Sequence, residues 1–299
     1  MTLVWAPGFN GITDPDAQTY LAAVETADGQ AIEGDVALAI NDFVVGCKLD
    51  GIWDAIKASC ILAGARTLSG ALVPLKGTAP TNNNFVSGDY DRETGLVGNG
   101  STKYLDSNRA GNADPQDSFH ATVYASTAPT TGSGGSSNDY GTYIGNVTGA
   151  TTGARSYFRE PNNGTISARN TSSTADSSVA AGSSTGLIGM QRNNSSSYTF
   201  RANQASGSFT RASQTPNSAS FGVYRVLTGT ANGTTYSNAR LAFYSIGEAI
   251  DLEKLDTRVT RLMHLITYTQ TSGLPGLSTM DLDAASYIGG AYRAGATLS

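Results

Sequence analysis

Between residues 95 and 247 the chain is a succession of short β-like runs parted by turn residues, without helical stretches between them. The runs are "GLVGNGSTKYL", "SFHATVYAS", "GTYIGN", "ARSYFRE", "TISARN", "TGLIGMQR", "SYTFRANQ", "SFGVYRVLTG" and "ARLAFYSIG". Strands at this spacing without intervening helices predict an antiparallel sandwich or barrel. The texture agrees with this: charged residues make up only 14% of the chain, and Gly, Ser, Thr and Asn fill the deficit, as in loop-rich β proteins. "STAPTTGSGGSSNDYG" and "NTSSTADSSVAAGSSTG" are low-complexity segments expected to be long surface loops.

The flanks read differently. Residues 1–13 look like an extended arm anchored by Trp5 and Phe9. Asp14 followed by Pro15 is a helix start, a side-chain cap ahead of a proline at the first helical position. Ile32, Val36, Ile40 and Phe43 then recur at helical spacing, and Leu49, Ile52, Trp53, Ile56, Ile61 and Leu62 read as a third apolar helical group. A helical unit of this size is marginal alone and is expected to pack on the rest of the chain or on a neighbouring subunit. The Pro, Gly and Asn cluster "VPLKGTAPTNNNF" marks a boundary. At the other end, the doubly apolar strand "ARLAFYSIG" leads into a helix. Asp251 suits its cap, and Leu252, Leu255, Val259, Leu262 and Ile266 form one stripe expected to pack on the sandwich. The expected organisation is a helical attachment region over 1–80, a β-sandwich over 81–268, and a weakly patterned tail over 269–299.

The net charge of -5 hides an asymmetry. Acids dominate residues 1–80, whereas residues 155–240 carry eight arginines, no lysine, and only Glu160 and Asp176. Two readings stay open: opposite halves that associate with each other or with distinct partners, or arginines scattered over both sheet faces. Cys47 and Cys60 are too few for a disulfide framework and read as small core residues, with a single bridge between them as the alternative. No signal peptide and no membrane-spanning run is expected.

The order of the β-runs resembles that of concanavalin A-like (laminin-G-like) jelly rolls. The resemblance is carried by "GLVGNGSTKYL" as an opening strand, "SFHATVYAS" after it, "YTFRANQ" with a tyrosine leading into a small polar turn, and "ARLAFYSIGEAI" closing into a short helix. The helical lead "YLAAVETADGQAI" and the "RLAFYSIGEAI…LDTRVT" ending are similar to virion-associated proteins of tailed bacteriophages. The resemblance implies a mainly β fold: a concanavalin A-like jelly-roll sandwich, preceded by an N-terminal α-helical region and closed by a short C-terminal helix. Because that fold hosts lectins, hydrolases and inert modules alike, it does not fix a function.

The candidate chemistries thin out quickly. Glycosidases need two carboxyls flanking one bond. Glu248, Asp251 and Glu253 are spaced three and then two apart, which on a strand splits them between faces, and Asp251 is better explained as a cap. His120 and His264 lack a nucleophile context, and zinc needs more Cys and His than the chain owns. Asp89, Asp91 and Glu93 in "DYDRETG" read as a solvated turn ahead of a calcium loop. Catalytic residues, metals and cofactors are therefore not expected, and the chain is expected not to be an enzyme.

Glycan binding has more support, since tyrosines and hydrogen-bonding Asn and Arg recur through the β region. The candidate set is Tyr157, Arg159, Arg192, Asn193, Tyr198 and Arg201, with the arginines gripping phosphate or sulfate on an anionic envelope polysaccharide. The expected function is a bacteriophage virion structural protein, made in the host cytoplasm: a tail-fibre or adhesin-type module binding host surface glycan. The alternatives are a capsid or tail decoration (cement) protein without sugar binding and, third, a polysaccharide depolymerase. Expected partners are other virion proteins, host envelope polysaccharide, and further copies of the chain in a homotrimer, the last implied by the family context. Membrane insertion and nucleic-acid binding are not expected.

Overall fold

A computed structural model describes residues 11–130, 139–147, 155–161, 165–172, 177–180, 184–228 and 236–272. The helices are α1 (Pro15–Asp28), α2 (Gly34–Leu49), α3 (Leu68–Ala71) and α4 (Leu252–Ser272). The strands are β1 (Ile56–Ile61), β2 (Thr81–Asn83), β3 (Tyr90–Asp91), β4 (Gly95–Val97), β5 (Tyr104–Ala110), β6 (Phe119–Thr127), β7 (Asp139–Val147) and β8 (Arg155–Pro161). They continue with β9 (Thr165–Ser172), β10 (Ser177–Ala180), β11 (Gly186–Arg192), β12 (Ser197–Ala202), β13 (Ala205–Thr210), β14 (Ser220–Val223), β15 (Val226–Thr228) and β16 (Arg240–Gly247).

The protein is mainly β, a sandwich of two sheets. Sheet A runs β13-β12-β11-β6-β16-β4-β3, with β1 also on β16. Sheet B runs β10-β9-β8-β7-β14-β5-β2, with β15 lying parallel on β7 where the other pairs are antiparallel. In β12 the alternation is plain: Tyr198, Phe200 and Ala202 are buried and the residues between them half-buried. The inward residues of both sheets share one core, in which Phe119 of sheet A stacks on Phe221 of sheet B at 5.1 Å and Phe200 meets Phe158 edge-on at 6.0 Å. Between β12 and β13, Asn203 and Gln204 both take positive φ (44° and 69°), the geometry of a two-residue type I′ hairpin.

A second core lies on the outer side of sheet A. There Val36, Ile40 and Phe43 of α2 and Leu255, Val259 and Leu262 of α4 meet Tyr124, Leu187 and Phe243 of the sheet. This is why β6 and β16 are buried on both faces: one face lines the sandwich and the other lies under the helix layer. The predicted caps form. Asp14 accepts from the Asp16 and Ala17 amides, and Asp251 Oδ1 accepts from the Glu253 and Lys254 amides at 3.0 and 3.1 Å. Ion pairs Arg258–Asp50 and Arg261–Asp42 join α4 to the α2 region.

Two sequence expectations need correction. The third helical group expected over 49–62 does not form an α-helix of its own and ends in a strand: β1 pairs with β16, Cys60 opposite Tyr244 and Ile61 opposite Phe243. Ala58 and Cys60 enter the sandwich core while Ile56 and Ile61 enter the helical core. A short segment buried on both sides has no periodicity to separate strand from helix. Residues 1–80 thus pack on the sandwich, one of the two placements expected for them, and supply β1 to sheet A. Finally, "GLVGNGSTKYL" is two strands in different sheets, β4 and β5. Asn99 turns the chain between them, its side-chain oxygen accepting from the amides of Ser101, Thr102 and Lys103. The arm before residue 11, the tail after 272, and Asn162 and Asn163 lie outside the described residues. Among the described residues no helix is long and apolar enough to cross a membrane.

Candidate functional site

The connection from β16 to α4, residues 248–251, crosses the outer face of sheet A and is held from two sides. Ser118 Oγ accepts from the Ala249 amide at 3.0 Å. His120 Nδ1 lies 2.5 Å from the Glu248 carbonyl, and its Nε2 lies 2.8 Å from Ser245 Oγ. A carbonyl can only accept, so Nδ1 carries the proton and Nε2 accepts from the serine hydroxyl. Full burial holds the His120 pKa down at about 4, from an ordinary 6.5. His120 is a neutral strut and lies out of reach of any ligand.

Beside this connection α4 begins close to the sheet. A Cβ at Gly189 would stand 2.4 Å from Thr122 Cγ2, too close for any other residue without a shift, and 3.3 Å from Leu252 Cδ2, which packs tightly over the glycine. The opening turn of α4 and strands β11 to β13 then enclose a groove of about 470 Å³, within the range of small-ligand sites. Strand alternation places Gln191 of β11, Thr199 of β12 and Ser206 of β13 on one side, with Asn193 just past the end of β11; Asp251 and Glu253 face them from the helix start. Ala249, Ile250 and Leu252 supply the apolar lining. Next to the groove, Arg201 joins the sheet to the helix: its Nε donates to Asp256 Oδ2 at 2.8 Å and its Nη1 to Ser206 Oγ at 3.1 Å.

The structure divides the six predicted glycan residues. Asn193 is exposed and lines the groove. Arg201 stands beside it, already paired with Asp256. Arg192 is fully buried: its two terminal nitrogens donate to the carbonyls of Asn194, Ser197, Asn170 and Arg211 at 2.9 to 3.1 Å. Because Asn170 belongs to sheet B, this guanidinium ties the sheets together at the sandwich end and grips no external anion. Burial lowers its pKa, against the charge of Asp117. Tyr198 is likewise inside, its hydroxyl donating to the Ala168 carbonyl at 2.9 Å. Tyr157 is buried on sheet B beneath the Arg169 guanidinium, on the far side of the sandwich from the groove. The side chain of Arg159 lies outside the described residues.

Two further arginines of the basic stretch, Arg225 and Arg240, are also engaged. Arg225 sits between the rings of Tyr104 and Tyr236 at 4.7 and 4.8 Å, and Arg240 donates to the Gly95 carbonyl. Asp91 caps its own turn through the Glu93 and Thr94 amides, and Asp89 pairs with Lys103. Cys47 and Cys60 are free buried thiols, each pushed up to about 12 by desolvation. Sequence reasoning missed Gln191, Thr199 and Ser206. The available signal was their polar character at outward positions of strands whose other face is apolar.

No protein-family model and no curated protein matches this sequence. Among solved structures, Trypanosoma rangeli sialidase in complex with 2,3-difluorosialic acid aligns over 87% of this chain and 39% of its own, at 7% identity and a TM-score of 0.43. The same sialidase with sialic acid aligns over 73% and 33%, at 8% identity and 0.41. Domain 4 of AbnA, an arabinanase of Geobacillus stearothermophilus in complex with arabinotriose, aligns over 61% and 82%, at 12% identity and 0.34. The chain thus spans a third to two fifths of the sialidases, and the likeness is one of β-sandwich fold alone. The expectation that the chain is not an enzyme is corrected at this point, because the sialidases among its structural neighbours are enzymes. At such identity they lend this chain no activity.

Proposed function

We propose that the protein recognises a glycan in the groove between the outer face of sheet A and the start of α4, as an adhesin-type module of a virion. The observation that carries the reading is the lining. Amide, hydroxyl and carboxylate groups from three strands and a helix start converge on one groove, over a short apolar floor. Such a set fixes the orientation of a polyhydroxylated ligand through hydrogen bonds, while the apolar lining covers its C–H faces. The walls are rigid where this matters, since His120 and Ser118 hold the connecting segment and Arg201 holds the helix to the strand edge. The virion setting rests on the similarity of "YLAAVETADGQAI" and "RLAFYSIGEAI…LDTRVT" to phage particle proteins.

The test is calorimetric titration of the purified protein with isolated bacterial envelope polysaccharides, with the sugar products analysed in the same samples. Saturable binding that weakens about tenfold in Asn193→Ala or Gln191→Ala, a loss of about 1.4 kcal/mol, supports the groove. Binding unchanged in both variants sinks it. Product analysis reports whether binding is accompanied by cleavage.

A further inference from the structure

Resting on that glycan reading, we infer that the groove selects sugar units without negative charge, contrary to the anionic polysaccharide that the arginine-rich sequence suggests. The argument is one of charge placement. The ionisable groups lining the groove are Asp251 and Glu253, both carboxylates. Asp251 commits Oδ1 to the helix-start amides, and Glu253 is exposed. The cation beside them, Arg201, is half-buried and its Nε is taken by Asp256. The next basic residue along the helix, Lys254, points its ammonium to the Asp50 carbonyl. Arg192, adjacent in sequence to the lining residue Asn193, is enclosed by four backbone carbonyls. The two guanidiniums nearest the groove that could neutralise a uronate, sulfate or phosphate are therefore spoken for, Arg192 inside the sandwich and Arg201 by Asp256.

An anionic sugar entering the groove meets two carboxylates of its own sign at close range, a repulsion that is felt at low ionic strength and screened by salt. A neutral sugar unit meets hydrogen-bond acceptors. Carboxylates accept more strongly than neutral groups, so the same two residues that reject the anion hold the hydroxyls. An amino sugar would be favoured further, by direct attraction.

The experiment uses uronate-bearing envelope polysaccharides, each presented as isolated and after carbodiimide-mediated reduction of its carboxylates to alcohols. Binding of the full chain is measured at low and at physiological ionic strength. The expected result is at least tenfold tighter binding of the reduced form at low salt, with the difference shrinking as salt screens the repulsion. In the double variant Asp251→Asn, Glu253→Gln the preference falls below threefold. Asn at position 251 keeps the cap oxygen, so the helix start survives, and circular dichroism confirms the fold. Tighter binding of the unreduced form, or a preference unchanged in the double variant, overturns the charge inference while leaving glycan recognition standing. Absence of binding to every polysaccharide in both forms overturns the glycan reading itself, and this inference with it.

Discussion

The buried strut under the groove makes a quantitative claim about acid. His120 is fully buried, with its pKa held at about 4, whereas in the unfolded chain it titrates near 6.5. Between those values the unfolded chain binds a proton that the folded one refuses. Stability therefore rises with pH across the window: the His120 contribution is fully present above pH 6.5 and is lost as pH falls through about 4. A difference of about 2.5 pH units at 1.36 kcal/mol per unit amounts to about 3 kcal/mol, a large share of the 5–15 kcal/mol typical of a folded domain. The perturbation is His120→Asn, whose amide reaches the Glu248 carbonyl in place of Nδ1–H but does not titrate. Urea unfolding at pH 7.5, 6.5, 5.5 and 4.5 supplies the stabilities.

The absolute stability of the variant is expected to be lower, because Ser245 loses the acceptor at Nε2. The informative quantity is the slope. The wild-type protein loses about 2 to 3 kcal/mol from pH 7.5 to 4.5 through His120, and the variant loses that much less. Asp14, Asp16, Glu33, Asp50 and Asp91 all sit below their ordinary pKa and weaken the fold at the acid end of the same window. They are common to both proteins and cancel in the difference. Equal slopes in the two proteins would refute the reasoning, because they would mean that His120 takes up its proton in the folded state without cost.

Arg192→Met takes the donor from four carbonyls, that of Asn170 in a buried contact, and is expected to cost about 3 kcal/mol in urea unfolding. Arg192 variants thus fail by unfolding, and a variant of unchanged stability would contradict the carbonyl cage. Arg201 and Asp256, each nearly buried in the pair, are expected to couple by about 1.5–3 kcal/mol in a double-mutant cycle with Arg201→Met and Asp256→Asn; coupling near zero would show the contact to be incidental. Gln204 holds φ of 69° in the β12–β13 turn, so Gln204→Gly is expected to raise stability by about 0.5–1 kcal/mol, read as a higher urea midpoint at unchanged slope. A lower midpoint would exclude the type I′ turn.

Much of this fold is written locally, and so was part of the correction to the site. Position 192 has the same parity along β11 as Ile188 and Met190, and position 198 the same parity along β12 as Phe200 and Ala202, all of them core residues. Alternation alone therefore points Arg192 and Tyr198 inward; composition, read without parity, made them ligands. The same rule sends Gln191, Thr199 and Arg201 outward, onto the face where the groove lies. Parity does not say what that face meets. The helix that completes the groove arrives from β16, which is separated from β11 by β6 in the sheet and from β12 by nearly forty residues of sequence. Nor does it identify the donors and acceptors that the arginines find, because the Asn170 carbonyl comes from the opposite sheet and Asp256 from the helix. The strand β1 was hidden for a related reason: its apolar residues are divided between two cores, Ala58 and Cys60 in one and Ile56 and Ile61 in the other, so they trace no single face. Local pattern thus reports which way a side chain points, while sheet order and the helix layer decide whether a charge pointing that way meets solvent or a partner. In this protein the partners were waiting for the arginines, and the acids Asp251 and Glu253 were left facing the groove.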